Sequence, residues 1–479
     1  MARSRIRDVV VLLPGITGSV LQKNGVDVWA ISGKAIAKAL FSLSGALQEL
    51  QLDGDDPDID DLGDGIRATR LMPDAHLVPG LVKIDGYSSV TRLITERFEV
   101  IPGHPDQDRP ANFFEFPYDW RRDNRVAARR LKRLVDTHLP KWREYSGAKD
   151  AKVILLAHSM GGLVSRHYLE CMDGWRDCRA LVTFGTPYRG SVNALGFLAN
   201  GYKKAFVDLT DVLRSCTAVY QLLPIYRMLR VGDEWKRIAE AGKLPGVDPV
   251  ASKVALEFHR DIEAAVKERE RVGGSYPIIP VVGVCQGTLQ SAHLSGDKIE
   301  VTEQVPDWID SRLEDGDGTV PRLSAIPIEL SDAFRETFVA GRHASLQRHD
   351  QVLRDLYQRI KQMQVQGLEP IRAPEVRPDL EQRAALSVDL DDMYVAGEPV
   401  TLRARLLNAV EPPDGLIARV EPVDPPGSPR DHEFLAHATD GWRLEIGDCK
   451  PGLYRVEVRT RKAGPQVPAP IEDLFEVAP

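Results

Sequence analysis

Ser159 lies in the stretch Val153-Ile-Leu-Leu-Ala-His-Ser-Met-Gly-Gly162, where an apolar run enters a small-x-Ser-x-Gly turn with Ala157 and Gly161 at the small positions. Such a turn lifts a serine hydroxyl above the end of a strand, and the small residues let strand and helix approach closely. The chemistry this permits is attack on an acyl carbon, provided a base removes the hydroxyl proton. In chains that use this turn the partners follow in the order serine, carboxylate, histidine. Asp317, flanked by glycines in Glu314-Asp315-Gly316-Asp317-Gly318-Thr319, is read as the carboxylate, with Asp315 the alternative. His343 follows an apolar run ending at Val339 and precedes a helical pattern starting near Asp350; it is read as the base, with His349 the alternative. Acyl transfer also needs N–H groups aimed at the developing oxyanion. One is the amide of Met160, the residue after the nucleophile; the other is expected at Thr17 in Pro14-Gly15-Ile16-Thr17-Gly18-Ser19, with Ile16 the alternative.

These residues must be held by strands and helices, and the pattern supplies both. Strands are expected at Asp8–Leu13, Phe98–Ile101, Asn112–Phe116, Lys152–Ala157, Ala180–Phe184, Ile278–Val284 and Glu336–Val339. Several are almost continuous Val, Ile, Leu and Phe, as in a parallel sheet covered on both faces. Arg125–Tyr145 has Leu131, Leu134, Val135, Leu139 and Trp142 at helical spacing, and its run Arg129, Arg130, Lys132, Arg133 is read as a solvated face. Strands alternating with helices mean an α/β fold over residues 1–366, and the serine turn with its partners in that order makes the expected fold an α/β-hydrolase, with cap or lid insertions at about 19–95 and 191–276 that look helical with loops. After a linker at 367–382 the pattern changes to period-two alternation with Pro and Gly turns, and 15 of the 33 prolines fall after residue 365. Residues 383–479 are expected to form a β-sandwich, Ig-like in outline.

Composition bounds the function. The net charge of −8, from 62 Lys+Arg and 70 Asp+Glu spread along the chain, gives no global footprint for nucleic acid. The apolar run near the start, Val9 to Leu13, is shorter than a secretory signal needs, and no stretch approaches the length of a membrane span. The five cysteines (Cys171, Cys178, Cys216, Cys285 and Cys449) are odd in number and lack metal-ligand spacing, so the chain is expected to be soluble and cytoplasmic, without bound metal or cofactor. The stretch LDGDDPDIDDLGDG invites a calcium reading, but neither Asp53 nor Asp56 starts a loop with Glu at its twelfth position, so it is read as a solvated acidic loop.

With these residues in hand the chain resembles the lecithin:cholesterol acyltransferase family, in which lysosomal phospholipase A, plant phospholipid:sterol acyltransferases and many bacterial proteins belong. The stretches that carry the resemblance are LLPGITGSVL, VWA, FPYDWR, LLAHSMGGLV, TFGTPYRGS, CTAVYQLLP, EDGDGTVP and HASLQRHDQV, in the family's order, between about Asp8 and Tyr357. The resemblance implies a Ser159, Asp317, His343 triad with oxyanion donors at Thr17 and Met160, and Leu346 three residues after His343 fits the family pattern. Asp119 and Arg121 of the PYDWR match are read as a structural ion pair, and Thr186-Pro187 as a turn leading into the cap. A membrane-binding segment is implied after the first strand, where Trp29, Ile31, Ile36, Leu40, Phe41, Leu43 and Leu47 are interleaved with Lys34 and Lys38. The secretion signal and disulfide-closed loop of the extracellular animal members are not expected in this chain.

The function these readings imply is a serine-dependent lipid acyl hydrolase or O-acyltransferase, with a lipid or lipid-like ester as substrate, peripheral contact with a membrane surface and no nucleic-acid partner. A soluble ester, thioester or amide cleaved by the same triad is the alternative, and a catalytically inactive interaction protein is a further one. The C-terminal β domain is compatible with docking a protein partner or regulating the cap.

Overall fold

Runs of Val, Ile and Leu suit strands covered on both faces, and such runs build the centre of a seven-stranded sheet in the computed structural model. The residues described are 3–30, 48–72, 76–78, 82–84, 86–204, 207–310, 313–330, 337–365, 384–408, 414–437, 441–462 and 467–478. The sheet strands are β1 (Val9–Leu13), β2 (Pro102–Gly103), β3 (Phe113–Glu115), β4 (Val153–His158), β5 (Cys178–Phe184), β6 (Ile278–Val284) and β7 (Thr337–Ala340). Their spatial order is β7-β6-β5-β4-β1-β3-β2, and every neighbouring pair is parallel. The expected strands fall in place within two residues, with one exception. Phe98–Glu99 pairs with Ser4–Arg5 outside this sheet, and the edge position goes to Pro102–Gly103, where a residue without an N–H can sit.

Helices α1 (Ser88–Arg97), α2 (Asn124–Ser146), α3 (Met160–Cys171), α4 (Val192–Asn200), α5 (Thr210–Ser215), α6 (Thr217–Tyr220), α7 (Pro249–Arg271) and α8 (Asp350–Val365) surround it. On one face Val90 and Ile94 of α1 and Val352, Leu356 and Ile360 of α8 share a core with Val10, Leu12, Ile154 and Leu156. The other face packs Leu131, Leu134 and Leu139 of α2, Leu163 and Val164 of α3 and Phe258 of α7 against Val9, Val11 and Leu155. Helix α2 starts where the Asp123 carboxylate accepts from Arg125 N and ends at Gly147 with φ 74°, the left-handed stop that glycine permits.

The expectation of helices in the first insertion needs correction. Its described part is a three-stranded antiparallel sheet, Val26–Trp29, Ser19–Lys23 and Ile66–Leu71, with the acidic loop just before the last of these strands, then a two-stranded pair, His76–Val78 and Val82–Ile84, and α1. The apolar positions from Ile31 to Leu47 lie outside the described residues. The acidic loop is not a free solvated loop either. Arg122, itself buried, donates to the Asp55 carboxylate at 2.9 Å and to the carbonyls of Asp56, Ile59 and Asp60. Arg121 reaches Asp64 at 2.8 Å and Asp119 at 2.6 Å, and Arg129 and Arg133 both reach Asp60. The Asp119–Arg121 pair is therefore the anchor expected of it, and the basic run on α2 meets the loop rather than bulk solvent alone. The second insertion contributes α4 to α7, as expected, with short strands Leu229–Val231 and Glu234–Lys236 between them.

The alternating segments of the C-terminal part form two sheets. Strands β8 (Ala385–Leu390), β9 (Met393–Val395), β10 (Val400–Leu407), β11 (Leu416–Asp424), β12 (Arg430–Glu433), β13 (Leu435–His437), β14 (Gly441–Ile446), β15 (Gly452–Thr460) and β16 (Ile471–Ala478) pair as β8-β10-β14-β13 and β9-β16-β15-β11-β12. Leu402, Leu444, Val456, Phe475 and Val477 meet in a core between the two. All pairs are antiparallel except β9 with β16. The linker expected at 367–382 lies outside the described residues. All five cysteines are unpaired thiols, and no described helix is long and apolar enough to cross a membrane.

Candidate active site

The chain leaves β4 at His158 and enters α3 at Met160, and Ser159 between them has φ 51° and ψ −125°. A non-glycine residue in that region is strained, and the surroundings hold it there. Ser159 N donates to Phe184 O at 2.9 Å, and the Thr186 hydroxyl donates to Ser159 O at 2.9 Å. The small residues of the motif have the packing role expected of them: a Cβ on Gly161 would stand 2.5 Å from Pro14 O, and one on Gly162 would overlap the Thr186 side chain. Thr186, read from sequence only as part of a turn, thus also fastens the elbow.

Asp317 and His343 come to Ser159 from the ends of two further connections. The Ser159 hydroxyl lies 3.0 Å from His343 Nε2, and His343 Nδ1 lies 2.7 Å from Asp317 Oδ2. Asp317 is 1% exposed, and its other oxygen accepts from Thr319 N at 2.9 Å and Val320 N at 2.7 Å. The backbone adds a link, with His343 N donating to Asp317 O at 2.9 Å. Because a carboxylate only accepts, Nδ1 carries the proton and Nε2 is left to accept from the serine hydroxyl. Gly185, at φ 56°, leaves the room this pair fills: a Cβ there would be 2.8 Å from both Asp317 Oδ2 and His343 Nδ1. The two alternatives face elsewhere. The Asp315 carboxylate accepts from Cys285 N and pairs with Arg322, and His349 Nδ1 accepts from Gln351 N at the start of α8.

The loop after β1 arches over the serine. Thr17 has φ 58° with its side chain fully buried, and its carbonyl accepts from Trp29 Nε1 at 3.0 Å. Ile16 turns toward the cavity. Among the described residues the amides of Ile16, Thr17 and Met160 make no hydrogen bond within the protein, and of the three residues Ile16 lines the cavity.

His158 is the neighbour that sequence reasoning passed over, although it stands beside Ser159. Its Nε2 is 3.2 Å from His343 O and its Nδ1 is 3.0 Å from the Tyr87 hydroxyl, which in turn accepts from Gly15 N at 2.8 Å. A carbonyl only accepts, so Nε2 carries the proton and Tyr87 donates to Nδ1. Burial, with the nearby His343 adding to it, pulls the His158 pKa down to about 3, so the ring stays neutral and this chain of bonds keeps one direction. Nothing in the spacing of Tyr87 announces it.

The cavity above Ser159 and His343 is lined by apolar residues, among them Ile16, Phe197, Leu213, Val219 and Leu222, the last four from the second insertion, and by polar ones, among them Asn193, Thr319, Arg342 and Asp473. Among the described residues no group of three or more His, Cys, Asp or Glu side chains is placed to hold a metal ion.

A parallel sheet flanked by helices, with a serine on the elbow after a central strand, places the chain in the α/β-hydrolase class. Residues 106–243 match the model of the family described as lecithin:cholesterol acyltransferase, so the family resemblance carried by the motifs holds. No curated protein matches the chain. Among solved structures, the Bacillus licheniformis lipase BlEst2 in mature form is 12% identical, with 75% of this chain and 94% of that one covered and a TM-score of 0.29. The same lipase in propeptide form is 12% identical, with coverages of 98% and 92% and a TM-score of 0.31.

Proposed function

We propose that the protein is a serine-dependent lipid acyl hydrolase or O-acyltransferase working through an acyl-Ser159 intermediate. The observation that carries this reading is the hydrogen-bonded line from Ser159 through His343 to Asp317 in a cavity partly lined by apolar side chains. The family match over 106–243 supports a lipid ester as substrate. In the reaction His343 Nε2 takes the hydroxyl proton as Ser159 Oγ bonds to the ester carbonyl carbon, and Asp317 stabilises the imidazolium that results. The amides of Met160 and Thr17, with Ile16 the alternative, hold the oxyanion; a single such donor is worth about 2.7–4 kcal/mol in the transition state. Collapse breaks the bond to the alcohol, which leaves with the proton from His343, and water or a second alcohol then takes the acyl group by the reverse steps. Peripheral contact with a membrane surface and a cytoplasmic location belong to the same reading.

The test is product analysis by mass spectrometry after incubating wild type and Ser159→Ala with mixed phospholipid vesicles containing a free lipid alcohol. Free fatty acid and lysolipid formed by wild type alone are expected, and a new ester of the alcohol adds transferase activity. Identical products from the two proteins would overturn the reading.

A further inference from the structure

Two loops bring Asp317 and His343 to Ser159, and both are gripped across the seam between the hydrolase part and the C-terminal sandwich. Gln286, just past β6, exchanges backbone bonds with the Asp317 loop: Gln286 N donates to Gly316 O at 3.0 Å and Gly316 N to Gln286 O at 3.3 Å. The buried Gln286 side chain reaches the other way. It donates to Leu386 O at 3.0 Å and accepts from Val388 N at 3.3 Å, both on β8. Arg342 directly precedes His343, and Asp473 Oδ2 on β16 receives its Nε at 2.9 Å and its Nη2 at 2.8 Å. Asp473 stands in the inward row of its strand with Ile471, Phe475 and Val477 and is 3% exposed. A Cβ on Gly318 would stand 2.9 Å from Arg342 Nη1, so the guanidinium also lies against the residue that follows Asp317. On either side of this pair Ser345 donates to Glu472 O at 3.3 Å, and Ala340 at the end of β7 packs against the sandwich core.

A base and its orienting acid work only at hydrogen-bond distance, and a misplacement of about 1 Å costs up to about a hundredfold in rate. The serine half of the triad is fixed within the hydrolase part, by Phe184 and Thr186 at the Ser159 backbone. The acid–base half sits on loops, whose position comes from what they touch. His158 holds the His343 carbonyl, and the sandwich holds the same loop before and after it, at Arg342 and Ser345. Asp473 is buried and the Arg342 side chain is 16% exposed, so the pair is shielded from water and removing either charge strands the other.

We propose that the C-terminal sandwich positions the acid–base half of the triad: Asp473, through Arg342, and β8, through Gln286, hold the His343 and Asp317 loops in register with Ser159. The proposal rests on the acyl-transfer reading of Ser159. Asp473 and Gln286 are positioning residues, acting through the two loops rather than on the reacting atoms.

The experiment compares Asp473→Asn, Gln286→Met and Leu444→Ala with wild type, each as the full chain and below its unfolding midpoint, on the p-nitrophenyl ester of a short fatty acid. Asp473→Asn keeps the shape of the side chain and removes its charge; Gln286→Met keeps the length and removes both bonds to β8. Each of these two is expected to lower kcat about tenfold to a hundredfold, with KM changed by less than about twofold, and to slow labelling of Ser159 by a fluorophosphonate by the same factor. Amide hydrogen exchange should quicken at 315–320 and 341–346 in both. Leu444, in the sandwich core on β14, is the control for a merely structural role: its truncation should lower the unfolding midpoint and leave kcat and these amides as in wild type. Asp473 also borders the cavity, so Gln286→Met, outside its lining, separates positioning from contact with substrate. Wild-type kcat and exchange in either of the two variants, or a loss of kcat in Leu444→Ala as large as theirs, would overturn the proposal. No turnover and no labelling of Ser159 in wild type would instead overturn the acyl-transfer reading and this proposal with it.

Discussion

The Tyr87 hydroxyl is shared between the two loops that flank Ser159. It accepts from Gly15 N in the loop after β1 and donates to His158, whose other nitrogen holds the carbonyl of His343. Removing it leaves a buried N–H and a buried ring nitrogen without partners, each costing about 1–3 kcal/mol, and lets both loops drift. Tyr87→Phe is therefore expected to lower kcat on a p-nitrophenyl ester by about tenfold, equivalent to about 1.4 kcal/mol in the barrier, with KM changed less than twofold. A variant that loses thermal stability but keeps its kcat would show that the bonds serve folding alone. Ser159, Asp317 and His343 were legible in the sequence because each terminates a strand or sits in a glycine-flanked turn at the right point in chain order. Tyr87 was not, since a single tyrosine before a helix has no spacing to a partner 71 residues on. Asp473 left a faint signal, an acid in the inward row of an alternating strand, and its meaning depends on Arg342 across the seam.

Elements show the same division between pattern and contact. The central strands and helices α2, α3 and α8 follow from continuous apolar runs and helical spacing, because one element's own burial fixes that pattern. The strands of the first insertion are short and half polar, as in Ile66-Arg-Ala-Thr-Arg-Leu71, so their periodicity carries little information and pairing decides them. The acidic loop is likewise decided by a distant element. Arg122 and Asp55 are both buried, with side-chain exposures of 4% and 3%, and Asp55 also accepts from Asp123 N at 2.6 Å, just before α2. Breaking one partner of a buried pair costs about 3–5 kcal/mol because the other charge is stranded. Arg122→Met is expected to release the loop while the sheet persists, seen as rapid protease cleavage between residues 53 and 64 with helical circular dichroism retained. Resistance equal to wild type would show that Arg121 and Arg129 hold the loop without it.

Across the whole molecule, burial of neutral imidazoles ties stability to pH. His158 is held at about 3, and His167 and His259 at about 4, chiefly by burial, against an ordinary value of 6.5. His259 on α7 gives its Nε2 proton to Gln221 O at 2.7 Å, a bond that favours the charged ring but is outweighed by burial. Between about pH 4 and 6.5 the unfolded chain binds more protons at these sites than the native one, and stability is lost as pH falls through that window. Glu476 acts in the opposite sense. Burial raises it from 4.5 to about 7, so the native state holds its proton where the unfolded state has lost it, and its contribution is lost as pH rises. Each group contributes up to about 1.4 kcal/mol per pH unit, and the three histidines together outweigh the one carboxyl, so stability falls on acidification near pH 5.5. Denaturant unfolding followed from pH 7 to 4.5 should show that decline, reduced in His259→Gln, which keeps an N–H for Gln221 O, and steepened in Glu476→Gln. A stability that stays flat over this range in wild type would mean that these rings titrate alike in the folded and unfolded chain.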